Sequence, residues 1–259
     1  MAVEHPSRIK WHRQWGCHDQ TVLTPSVYLD ALTRDAATFI ELVDSADHEL
    51  PVPFCPGWNV GELARHLGGI HRWAHDVLVT GVPGDEPQGP TDRHELTSWL
   101  TEGATQLHEV LSTTDPQTPT WTFGPKPRLV EFWIRRQAQE TFVHLWDAQT
   151  AIGISLRNDD ELALDGIDEV VNMFFPRQVR LGRALPLAQP VAIHVSDFPG
   201  VEFVLAGDGS PAELAPAATI TGTAAELLRL VWGRIDIGDL HVEGSADACG
   251  QLVAANLTP

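Results

Sequence analysis

Residues 129–151, LVEFWIRRQAQETFVHLWDAQTA, constrain the chain more than any other stretch. Their pattern predicts a helix from about Leu129 to Ala151. At about 100° per residue, Trp133, Gln137, Glu140, His144, Asp147, Ala148 and Ala151 fall on one stripe. Phe132, Phe142, Val143, Leu145 and Trp146 cover the remaining sides. A helix that is apolar nearly all round belongs in an interior, so the expectation is that both domains pack against this one. Yet Glu140, His144 and Asp147 occupy the middle of the inward stripe. A buried glutamate is costly unless it is paired or bound to a metal.

Three more helices precede it. Thr24-Pro25 reads as an N-cap followed by a first-turn proline, with Tyr28, Leu32, Phe39, Leu42 and Val43 at helical spacing. Asn59 and Glu62 have capping-box spacing ahead of Leu63, Leu67, Ile70, Ala74 and Val77. Leu96, Leu100, Leu107, Val110 and Leu111 mark the third. Joined by proline-rich loops, these helices predict a four-helix bundle over 24–155. The pattern changes after Gly153. A helix through Ala163, Ile167, Val171 and Phe174 leads to short strands at 191–195, 201–206 and 218–223. A second capping box, Thr223 and Glu226, opens a helix over Ala224–Trp232 that Gly233 ends, and a last helix starts at Ala246. Residues 156–259 thus read as a small α+β domain, and residues 1–23 as an unpatterned N-terminal extension.

The balance of 17 Lys plus Arg against 35 Asp plus Glu, a net charge of −18, argues against nucleic acid and anionic membranes as partners. No apolar run reaches the roughly 18 residues of a membrane span, and no hydrophobic core follows the charged N-terminus as in a secretory signal. Cys17, Cys55 and Cys249 form no disulfide framework. The expectation is a cytoplasmic protein, with an oligomer left open.

His66 lies inside the inner stripe of the second helix. A Glu–His pair four residues apart on one helix and a histidine from a facing helix make three ligands. Three protein ligands with an open fourth position are the pattern of a catalytic zinc site. Asp147, one turn beyond His144, is placed to hydrogen-bond to it from behind. The residues alone leave open a buried hydrogen-bonded cluster instead. His71 and His75 fall on the flank of their helix and are expected at the surface or a pocket rim. Cys17-His18 with His12 is a weaker metal candidate, and Cys55, between prolines, reads as a small buried residue. Neither a phosphate loop nor a G-x-S-x-G elbow is present.

Three ordered blocks carry a resemblance: CPGWNVGELARHLGGIHRWA (55–74), RRQAQETFVHLWDAQTAIG (135–153) and ITGTAAELLRLVWGRIDIGDLHVEG (220–244). They resemble the mycothiol-dependent maleylpyruvate isomerase family, over about residues 24–257. The resemblance implies a DinB-like four-helix bundle followed by a small α+β domain similar to sterol-carrier folds. It implies a divalent metal, usually zinc, on His66, Glu140 and His144, the same three residues the stripes select. It also implies mycothiol, a low-molecular-weight thiol, as cofactor, and Arg234 of the third block as the group that holds a substrate carboxylate. The expected activity is thiol-dependent cis–trans isomerisation of a maleylpyruvate-like compound, or thiol transfer to a small electrophile. A metal-dependent hydrolase without thiol and a non-catalytic small-ligand-binding module are the alternatives.

Overall fold

The computed structural model describes residues 23–206 and 215–259. The N-terminal extension, with Trp11, His12, Trp15, Cys17 and His18, lies outside the described residues apart from its last position. The described chain divides into two compact units, 23–157 and 158–259. The fold class is α+β, as the sequence pattern indicates.

The first unit is a bundle of α1 (Pro25–Ser45), α2 (Val60–Thr80), α3 (Arg93–Thr113) and α4 (Val130–Ile152). Each start has a local cause. Pro25 sits in the first turn of α1 after Thr24. Asn59 and Glu62 close a reciprocal capping box on α2. Asp92 accepts from the backbone of His94 and Glu95 at the start of α3. Around the bundle, α4 lies between α1 and α2, and α3 packs on the other side of both, so that α1 faces α2 across the diagonal. Side chains of Phe39, Val43, Leu63, Leu67, Leu96, Leu100 and Leu145 fill one continuous core.

Two adjacent glycines set how closely α2 is packed. A methyl group on Gly68 would collide with the Trp99 ring and Leu100 of α3. One on Gly69 would meet the Glu86 carboxylate at 2.7 Å and the Pro87 carbonyl at 2.9 Å. The glycines cost α2 helix propensity, but they admit α3 on one side and the 81–92 loop on the other.

In the second unit α5 (Asp160–Glu169) runs through a wide π-type turn, Val170–Phe174, into α6 (Phe175–Arg180). Phe175 N–H reaches back to Val170 O across that turn, just before Pro176, which has no N–H to give. The sheet has the order β2 (Glu202–Leu205), β1 (Val191–Val195), β3 (Ala218–Gly222), β4 (His241–Gly244). β1 and β2 form an antiparallel hairpin, β1 and β3 run parallel, and β3 and β4 are antiparallel. Both α7 (Ala224–Val231) and α8 (Ala246–Ala254) pack on β1 and β3. The sequence did not reveal β4. All four of its residues are exposed, so it lacks the alternation that marks a strand.

Gly68→Ala is expected to destabilise the bundle by about 1–3 kcal/mol through overpacking against Trp99. A chaotrope melt followed by helical circular dichroism measures it.

Candidate metal centre

The bundle brings His66 from α2 together with Glu140 and His144 from α4. One ligand atom from each lies within 4.8 Å of the others. His144 Nε2 is 3.2 Å from Glu140 Oε1, and His66 Nε2 is 3.5 Å from the same oxygen. The two imidazole rings meet edge to face, with centroids 5.1 Å apart. Both Nε2 atoms therefore point at one carboxylate, while each Nδ1 faces outward to another. His144 Nδ1 donates to Asp147 Oδ2 at 3.0 Å, and His66 Nδ1 lies 3.8 Å from Glu86 Oε1. The bond to Asp147 orients the His144 ring and leaves Nε2 as its inward atom.

The electrostatics favour a positive charge at the centre. Burial alone would push the Glu140 carboxyl up. The Arg136 guanidinium, with which it forms an i,i+4 ion pair, and bonds from His144 and His66 outweigh that and hold it well below the usual carboxylate range. Burial pulls His144 down, but its bonds to Asp147 and Glu140 carry it up to about 9. A proton on His144 thus sits between two carboxylates. It stands where the donor set could equally hold a metal cation, which would displace it.

Residues 29–149 match the family model of the mycothiol maleylpyruvate isomerase N-terminal domain. Residues 161–250 match the companion MDMPI C-terminal domain. This chain belongs to the mycothiol-dependent maleylpyruvate isomerase family. Two solved structures share its fold: a mycothiol-dependent maleylpyruvate isomerase, at a TM-score of 0.60, and a histidine-to-alanine mutant of a mycothiol-dependent maleylpyruvate isomerase, at 0.59. Each is 11% identical to this chain, and the match covers 86% of this chain and 95% of the other. No curated protein sequence matches it.

In this family member the cluster has neighbours that pattern reading missed. Arg136 is buried one turn before Glu140 and neutralises it. The sequence shows both residues at i,i+4 spacing, which is the signal that could have found the pair. Glu86 comes from a long loop, and nothing in its spacing announces it. Cys55 is half-buried rather than buried, and its thiol donates to Asp147 Oδ2 at 3.6 Å. The Trp58 ring packs against His66, with centroids 4.8 Å apart. Arg234 belongs to the second unit, where Nη1 donates to Trp232 O at 2.7 Å and the guanidinium lies over the Trp232 ring.

His71 requires a correction. It lies not at the surface or a pocket rim but in the core, 2% exposed. The Thr141 hydroxyl donates to Gln137 O at 2.8 Å, so its oxygen accepts from His71 Nε2–H at 2.9 Å. Two helices bury the flank of α2 as well as its inner stripe. Of the two flank histidines, the more distant His75 stays partly exposed, beside Asp76. Burial pulls the His71 imidazole down to about 4, so it is neutral at pH 7.

Thr141→Val leaves the buried His71 N–H unpaired and is expected to cost about 1–3 kcal/mol of stability, read from thermal melting. His71 also makes folding pH-dependent. From about pH 6.5 down to about 4 the unfolded chain takes up the proton and the native state does not, so stability falls as pH falls. A His71→Phe variant is expected to show a shallower decline in melting temperature over that window.

Proposed function

We propose that this protein is a metal- and thiol-dependent enzyme that isomerises or conjugates a small electrophile. The carrying observation is the convergence of His66, Glu140 and His144 within 4.8 Å inside the bundle of this family. The residues present fit a divalent ion: two imidazoles and one ionised carboxylate, with the His144 ring aimed by Asp147. A bound ion such as zinc supplies Lewis acidity that keeps a thiol deprotonated at neutral pH.

The chain's own residues account for the rest of the site. His66 and His144 offer Nε2 lone pairs, Asp147 holds the His144 tautomer, and Arg136 balances the charge of Glu140 without entering the donor set. Thr141 accepts from His71 Nε2–H and holds that neutral imidazole in place beside the cluster. In this reading mycothiol is the thiol and a maleylpyruvate-like compound the isomerisation substrate; the bound thiol would supply a nucleophile for the substrate's cis double bond. Arg234 is assigned to the substrate carboxylate from its place in the block that resembles the family's C-terminal domain, and its planar fork suits bidentate pairing with a carboxylate.

Elemental analysis tests the metal. The wild type is expected to carry about one divalent ion per chain, and His66→Ala and His144→Ala to lose it together with activity. Full occupancy in either variant would refute the assignment. Asp147→Asn is expected to weaken metal affinity by about 10–100-fold, measured by competition with a chelating indicator. Turnover without added thiol would replace this reading with a metal-dependent hydrolase. Arg234→Lys is expected to raise KM for the carboxylate substrate while leaving metal content unchanged.

A further inference from the structure

Gln137 lies on the same stripe of α4 as Glu140 and His144, one turn nearer the N-terminus. It is 1% exposed, and its Oε1 has no hydrogen-bond partner among the described residues. An unpaired buried amide oxygen is destabilising, and a leucine or methionine of similar size would fill the same space without that penalty. Thr141, one turn further along, shows the contrast: its hydroxyl is fully used by His71 and by Gln137 O.

The surroundings point to a ligand. α2 and α4 run side by side with His66 opposite Glu140 and Trp73 opposite Trp133, seven residues away on each helix. That spacing is about 10 Å along a helix. Gln137 stands between the two ends. At the far end Trp73, Trp121 and Trp133 form one aromatic group, with Trp73 and Trp121 only half-buried. Beside Trp121 a second polar atom is orphaned: Thr122 Oγ1 is fully buried and has no partner among the described residues. Gln137 thus lies on α4 one turn from Trp133 and one turn from Glu140, between the tryptophans and the cluster of inward-facing donors.

We propose that Gln137 is a recognition residue for the thiol cofactor, binding a neutral amide or hydroxyl group of that molecule while its sulfur reaches the His66–Glu140–His144 cluster. The chemistry of the amide selects this partner over the carboxylate substrate. A carboxylate only accepts hydrogen bonds, so it would leave Oε1 unpaired, whereas an amide or hydroxyl both donates and accepts. The half-buried tryptophans offer flat faces for the C–H surfaces of a polyol-bearing thiol. Mycothiol carries an amide and several hydroxyls and matches that description. The inference rests on the thiol-dependent reading above.

The test uses full-length zinc-loaded protein with Gln137→Leu and, in case leucine packs poorly, Gln137→Met. Mycothiol is titrated in by calorimetry, and metal content and thermal melting are measured in parallel. Both variants are expected to keep their metal, to melt about 2–4 °C higher because an unpaired polar group is gone, and to bind mycothiol about tenfold or more weakly. KM for mycothiol is expected to rise with that loss while KM for the carboxylate substrate stays unchanged, a split that a merely structural role would not produce. If the wild type binds mycothiol and both variants bind it equally well, the inference is overturned and the thiol reading stands. A fall in melting temperature in both variants overturns it too, because the carboxamide would then be satisfied within the fold. A wild type that holds zinc but binds no mycothiol overturns the thiol reading, and this inference with it.

Discussion

The first unit depends on the position of one ionised carboxylate. Glu140 sits inside a helical bundle where its charge is costly. The surrounding groups have to answer that cost together: Arg136 from the same helix, His144 one turn on, and His66 from across the interface. Removing any one leaves the others poorly matched, because a buried charge that loses its partner is more damaging than a pair that was never built. The helix packing and the cluster are therefore parts of one arrangement. α2 has to approach α4 for His66 to reach Glu140, and Gly68 and Gly69 permit the tight packing of α2 on its other sides.

Around that centre the polar groups have distinct jobs. Asp147 and Glu86 face the outer nitrogens of the two histidines. His71 and Thr141 satisfy each other, a closed pair held neutral by burial. Gln137 and Thr122 do not close on anything described. The interior thus ranges from fully satisfied groups, which hold shape, to unsatisfied ones, which suit a partner from outside the chain.

Much of this was legible in the sequence for identifiable reasons. The helix starts were readable because capping boxes and first-turn prolines are local signals that tertiary contacts seldom overrule, as at Thr24, Asn59 and Thr223. The meeting of His66, Glu140 and His144 was readable because helical periodicity projects Glu140 and His144 onto one stripe and puts His66 inside another. What failed was whatever depends on contacts between distant segments. His71 was misplaced because a helical wheel ranks a face as core or flank without knowing how many neighbours cover it. Glu86 reaches the site from a loop, whose course periodicity does not describe. β4 escaped because an exposed edge strand need not alternate. The purpose of the two glycines was also hidden, since a missing side chain carries no pattern until the ring that fills its place is seen.

Those glycines have a consequence for how the chain can vary. His66 is two residues from the point where Trp99 wedges against α2, and three from where the 81–92 loop crosses it. The donor nitrogen and the contact that stops α2 from sliding along its axis therefore share a single turn. That turn works as a mechanical stop for the cluster: the same notch that seats the tryptophan fixes the height of the histidine. A bulkier residue there would move the histidine as well as loosen the bundle, so this turn is less open to sequence drift than either the fold or the chemistry alone would require.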